Sequence, residues 1–318
     1  MRRPFPAEIF GLIALLVLVA GCTWDWERYT FTDDGSAATC SWDDPARFIL
    51  ESPVPVTEVS SAAREIDPFL AYDRLTLYFA SERGDGKLRS YRAIRNTPTG
   101  LFDHVEEQSE INLPGCISRF ALSTNGLTAF ISAPSDFPQS CGGRTNLYWA
   151  TRGGTATPFT RSQFTGIGFN TAEHERDPFL SHDGLRLYYA EEAPTKSTTR
   201  MLLAERSGSA TSKWETRGPV PGLSLEPAAA DNPTLTADER LIVFSADLSG
   251  SIAGSRDLWY ALRPARDKPF GAPQQLPTVN TEQAETEAFI TPDGCELYFV
   301  RSTGTQAEEI YHTRYLPR

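Results

Sequence analysis

Five positions along the chain carry the side chains best suited to chemistry: Asp67, Arg119, Asp177, Asn232 and Glu287, separated by 52, 58, 55 and 55 residues. Three of them are acids, and each of those follows a glutamate by two residues, giving the pairs Glu65/Asp67, Glu175/Asp177 and Glu285/Glu287. Acids gathered where solvent is limited focus negative potential, which suits a cation or a basic peptide. Two facing carboxylates also suit glycoside cleavage, at a separation of about 5–5.5 Å for retention or about 6.5–9.5 Å for inversion. Asp67, Glu175, Asp177 and Glu287 are the candidates for that reaction. The repetition supports a third reading, in which each side chain caps a backbone N–H at a strand entry, as Asp and Asn often do. A catalytic pair is expected to be unique, whereas these acids recur with the fold.

The elements that must position these residues are themselves repeated. DPFLAYDRLTLYFAS from Asp67 returns as RFALSTNGLTAFISA, DPFLSHDGLRLYYAE, NPTLTADERLIVFSA and EAFITPDGCELYFVR. In each copy an apolar residue (Leu70, Leu122, Leu180, Leu235, Ile290) ends a short first strand. A turn follows at Asp73, Asn125, Asp183, Asp238 or Asp293, and in three copies Gly126, Gly184 or Gly294 comes next. Asn-Gly and Asp-Gly tolerate positive φ and close tight hairpins. The second strand is apolar on consecutive residues, as in Leu77-Tyr78-Phe79, so both of its faces must be covered. Third strands recur at Leu88–Ala93, Asn146–Thr151, Arg200–Glu205, Asp257–Leu262 and Glu309–Arg314. Weaker fourth strands are expected near Val105, Phe164, Val220 and Gln274. A period near fifty with several strands per copy specifies a radial array. The expected fold is an all-β, five-bladed propeller over residues 46–318. The fifth copy lacks a fourth strand, and Phe48–Val59 have its character, so the N-terminal strand should complete the last blade and hide two sheet edges. The alternative is six blades, with a degenerate one between Trp24 and Pro55.

The phrase, closest in Asp177–Gly184, resembles the WD40-like repeat of TolB-type periplasmic propellers, and the resemblance covers residues 45–318. TolB-type propellers commonly have six blades behind an α/β domain; this chain shows five repeats and no such domain. The resemblance implies the fold and leaves function to the site.

Residues 1–21 read as a targeting segment. Arg2 and Arg3 precede a mostly apolar run, Ile9–Ala20, which is shorter than the roughly 20 residues needed to cross a bilayer. The run ends in Val19-Ala20-Gly21-Cys22, which resembles the bacterial lipobox. By that resemblance the thiol of Cys22 carries lipid, and Thr23 in place of Asp directs the protein to the outer membrane. An ordinary secretory signal with a coincidental cysteine is the alternative. Residues 22–45 mix acids, small residues and aromatics without period and read as a tether.

The formal net charge is −11, which argues against nucleic acid and against adsorption to anionic lipid. Beyond Cys22, four cysteines remain in an exported chain, where disulfides persist. Cys116–Cys141 lie within one repeat, and Cys40–Cys295 would join the N-terminal segment to the last repeat. No GxSxG, HExxH, P-loop or dinucleotide signature is present, so no cofactor is expected. His174 stands among Glu173, Glu175 and Asp177 but has no well-placed second histidine except His182, and no metal centre is expected. The expectation is a lipid-anchored envelope binding module, monomeric because a closed ring needs no second subunit. Its partner would be a protein, peptide or glycan meeting Glu65, Asp67, Glu175, Asp177, Glu285 and Glu287. A propeller glycosidase and a purely structural envelope protein are the alternatives.

Overall fold

The hairpin turns form as the sequence specifies. Asp73, Asn125, Asp183, Asp238 and Asp293 each accept, through Oδ1, the N–H two residues on (Leu75, Leu127, Leu185, Arg240, Cys295) at 2.8–3.1 Å. The residue after each is left-handed: Arg74 (φ 57°), Gly126 (67°), Gly184 (71°), Glu239 (56°) and Gly294 (71°). A computed structural model describes residues 40–43, 48–112, 117–137, 143–192, 199–208, 213–252, 256–276, 278–304 and 308–317.

Two short N-terminal strands, β1 (Phe48–Leu50) and β2 (Val54–Pro55), precede the repeats. The first blade is β3 (Glu65–Leu70), β4 (Thr76–Ser81), β5 (Arg89–Ile94) and β6 (His104–Glu107). The second is β7 (Ser118–Leu122), β8 (Thr128–Pro134), β9 (Thr145–Thr151) and β10 (Thr165–Gly166). The third is β11 (Glu175–Leu180), β12 (Arg186–Glu192), β13 (Thr199–Glu205) and β14 (Glu215–Pro219). The fourth is β15 (Ala230–Leu235), β16 (Leu241–Ala246), β17 (Asp257–Leu262) and β18 (Gln274–Gln275). The fifth contains β19 (Glu285–Ile290), β20 (Glu296–Ser302) and β21 (Glu308–Pro317). All neighbours within a blade are antiparallel.

Each blade's first strand touches that of the next, and β19 touches β3, so the first strands ring an axis. The second strands are buried on both faces, as their unbroken apolar runs require. Aromatic rings lock blade to blade. Tyr78 stacks on Phe120 at 4.7 Å, Phe69 meets Phe289 at 4.7 Å, and Phe130 meets Trp214 edge-on at 6.0 Å.

The ring closes through the N-terminal strands. β1 pairs with β21 in the register Phe48↔Pro317 to Leu50↔Tyr315, and β2 pairs Val54 with His312. Val56 extends this by donating its N–H to the Ile310 carbonyl at 2.8 Å. Residues 48–55, which six blades would require elsewhere, therefore belong to the fifth sheet. Cys40 is bonded to Cys295 with 5.2 Å between Cα atoms, as the pairing across the chain anticipated. Cys40–Asp43, read from sequence as part of the tether, lie against the fourth and fifth blades. Trp42 Nε1 donates to the Gly294 carbonyl (2.9 Å) and its ring meets Tyr260 edge-on at 5.3 Å. Residues 1–39, with Cys22, and both Cys116 and Cys141 lie outside the described residues.

Candidate functional site at the propeller axis

Asp67, Arg119, Asp177, Asn232 and Glu287 come together at one end of the axis. Every first strand breaks its register there with a bulge, and these five residues take φ of 55°, 37°, 57°, 51° and 55°. Asp and Asn visit this region readily, while Arg and Glu do so against steric cost. Five similar distortions serve the repeated fold, and in four of them the N–H is turned to an acceptor on the neighbouring blade.

The partners of those N–H groups follow a rule. Asp67 N–H donates to Glu287 Oε2 (2.7 Å), and Arg119 N–H donates to Asp67 Oδ2 (3.0 Å). Asp177 N–H instead donates to Ser132 Oγ (3.0 Å), and Glu287 N–H to Ser245 Oγ (3.1 Å). Ser132 and Ser245 lie on the second strands of the blades whose axial residues are Arg119 and Asn232. In the three blades with an axial acid, the matching second-strand residues are Ala80, Ala190 and Val300. In these four cases the blade behind offers either a carboxylate or a hydroxyl. The sequence expectation that the acids cap backbone N–H groups holds at Asp67 and Glu287, with the capped group on the next blade.

A second layer sits above the ring. Arg176 Nη2 lies 3.1 Å from Asp231 Oδ2, and its Nε 3.5 Å from Asp177 Oδ2. Arg256 Nη2 lies 2.6 Å from Asp231 Oδ1, while Arg64 pairs with Glu308 at 2.7 Å. Asp231, Arg176 and Arg256 escape the sequence reading because they stand one register off or away from the repeated acids. Opposite charges at the same register in adjacent blades, Arg176 and Asp231, were the available signal.

Arg119 closes the axis. It is 1 % exposed, and its Nη2 reaches the Ala288 carbonyl on the fifth blade at 3.1 Å. Its Nη1 stands 3.8 Å from Asp67 Oδ1. Farther along, the axis is packed by Phe69, Phe179, Leu235 and Phe289, all buried. Burial pushes Asp67, Asp177 and Glu287 up. Asp177 reaches about 7, with the charge of Asp231 adding to burial, and Glu287 rises well above its ordinary range, with Asp67 adding. Asp177 can therefore hold its proton near neutrality.

Glu65, Glu175 and Glu285 do not join this ring. Each accepts the backbone N–H and the hydroxyl of the residue four before it: Ser61, Thr171 or Thr281. His174 accepts the Thr145 N–H at Nδ1 (3.0 Å), tying the second blade to the third. Among the described residues no three His, Cys, Asp or Glu side chains converge as around a metal.

No family model matches the chain, and no curated protein matches it in sequence. Solved structures do. TolB from Acinetobacter baumannii superposes with TM-score 0.50 at 13% identity, over 81% of this chain and 56% of its own. The propeller fold is shared with TolB. The chain spans only that 56% of the Acinetobacter protein. An α-L-arabinofuranosidase from Lactobacillus brevis superposes with TM-score 0.52 at 13% identity, covering 83% of this chain and 94% of the enzyme. A sucrose-6-phosphate hydrolase from Lactobacillus gasseri gives 0.52 at 14%, over 80% and 59%. At these identities the likeness concerns the fold alone.

Proposed function

We propose that this chain is a lipid-anchored binding module of the cell envelope. It meets a protein, peptide or polysaccharide with the rim around its axial acids. One observation carries this reading: the axis is closed by Arg119 and the aromatic plug beneath it. Asp67 and Glu287 are committed to N–H groups of the next blade. Among the described residues Arg119 and the buried side chains beneath it occupy the axis, so recognition falls to the rim. There Arg64, Arg176 and Arg256 are a quarter to two fifths exposed. At the same end a cleft of about 620 Å³ lies between Leu225–Ala229 and Asp247–Ser249, and supplies apolar surface beside charge. The glycosidase alternative draws on Asp177, whose raised carboxyl suits a general acid, but it requires substrate to displace Arg119.

The test is capture of partners from crosslinked envelopes by the full-length protein and by an Arg176→Ala/Arg256→Ala variant. One partner at stoichiometric yield, lost in the variant, is expected; equal recovery by both, or recovery of none, refutes rim recognition. Cys22→Ala should move the protein from the membrane to the soluble fraction, and unchanged membrane association excludes the lipid anchor.

A further inference from the structure

Three glutamates hold the same place at the start of a first strand, and two of them are matched by an arginine. Glu65 receives Arg83 Nη2 at 3.1 Å, and the same guanidinium bonds the Val59 carbonyl. Glu285 receives Arg301 Nε at 2.7 Å, and Arg301 Nη2 bonds the Val279 carbonyl at 2.7 Å. Each guanidinium also lies over two rings of its sheet, Phe79 and Tyr91 for Arg83, Phe299 and Tyr311 for Arg301.

The third blade has the glutamate without the arginine. Glu175 is wholly buried and caps Thr171 through Oε1, and its Oε2 has no hydrogen-bond partner among the described residues. Directly across the sheet, where the fifth blade sets Arg301 against Glu285, stands a second acid, Glu191. Arg200 bonds Glu191 through Oε1 at 2.7 Å. The ring seat taken elsewhere by a guanidinium is filled here by Phe169, which lies 5.1 Å from Tyr189. A buried carboxylate oxygen facing another carboxylate is costly unless a positive species joins them. With Phe169 in the way, that species must be smaller than a guanidinium.

We propose that Glu175 Oε2 and the Glu191 carboxylate bind a hard inorganic cation of the Ca²⁺ class within the third blade. Ca²⁺ takes oxygen ligands flexibly and completes its shell with carbonyls and water. With two carboxylates the affinity falls in the weak range of extracellular modules, on the order of 10⁻⁴–10⁻³ M. Burial pushes the Glu175 carboxyl up and Glu191 adds to it, against the Thr171 hydrogen bonds and the charge of Arg144. Cation entry runs past Glu191, which is slightly exposed.

The test is thermal unfolding of the full-length protein at pH 7.5 with CaCl₂ as the probe. At a concentration about 100-fold above Kd, Tm should rise by several degrees, about 4–8 °C. Glu191→Gln should abolish the rise. Glu175→Gln, which keeps an acceptor for Thr171 and removes the facing charge, should match or exceed the wild-type Tm without Ca²⁺ and not respond to it. Terbium emission sensitised by Tyr189 gives an independent readout, lost in Tyr189→Phe while the CaCl₂ effect on Tm remains. A wild-type Tm indifferent to CaCl₂ overturns the proposal. If Tm instead rises as pH falls toward 5, and Glu191→Gln removes that rise, the bridging species is a shared proton and not a metal.

Discussion

Ser132→Ala tests the way the blades are joined. Ser132 is fully buried, and its Oγ is the acceptor for Asp177 N–H at 3.0 Å. The axial residue of the same blade, Arg119, has only donors on its side chain, so it cannot take over. The variant leaves a buried N–H unpaired at a residue whose φ of 57° fixes where that N–H points. Losing the bond and stranding the donor costs about 1–3 kcal/mol. Ser90→Ala is the matched control. Ser90 is 2 % exposed, but its Oγ has no hydrogen-bond partner among the described residues. Removing that hydroxyl should be neutral, or stabilising by up to about 1 kcal/mol. Equilibrium urea unfolding followed by circular dichroism should separate the two variants by roughly 2 kcal/mol, with equal m-values. Equal midpoints would show that the inter-blade hydroxyl carries no stability and would refute the carboxylate-or-hydroxyl rule.

Two further outcomes follow from the site and the closure. The Asp177 carboxyl is held at about 7, first by burial and then by Asp231, against an ordinary value of 3.8. The folded chain thus keeps a proton that the unfolded chain has released, and stability falls as pH rises from about 4 to about 7. Asp177→Asn should flatten part of that fall and raise the urea midpoint at pH 8; an unchanged pH profile counts against the assignment. Gly294→Ala would put a Cβ 3.3 Å from the Cys40 carbonyl oxygen and 3.3 Å from Thr236 Cγ2, at a φ of 71°. It should cost about 1–3 kcal/mol. Gly184→Ala, with the same φ but only the flexible Arg206 Nη2 nearby at 3.4 Å, should cost less, and a reversed order in a Tm comparison would exclude crowding as the reason.

The propeller was legible because repetition multiplies weak signals. One Asp-led turn between apolar runs is a hairpin hint, whereas five turns led by Asp or Asn at similar spacing leave few architectures open. Closure was legible too, since the missing fourth strand after Arg314 and the surplus one at Phe48 complete each other. The axial acids were readable as a group but not in their roles. Whether Asp67 meets a ligand or an N–H depends on the offset between blades, and no periodicity within one blade encodes that offset. The compensation of Arg119 by Ser132 and of Asn232 by Ser245 is written in the sequence, yet it becomes visible only when the repeats are aligned on their second strands. Trp42 passed as linker because its neighbours carry no pattern; its burial comes from the Gly294 turn, far along the chain. Glu175 and Glu285 look identical in sequence until their cross-strand partners, Glu191 and Arg301, are set side by side.

The Cys40–Cys295 bond precedes β1 in the chain. Traction applied at the N-terminus therefore enters the fifth blade covalently at Cys295, bypassing the chain from Ser41 to β1. The hydrogen bonds of β1 and β2 carry none of that load and cannot be peeled from the end one at a time. A ring closed only by those few pairs would open like a zip under a pull; with the sulfur bridge in place, the force is delivered instead to the turn between β19 and β20, inside the sheet.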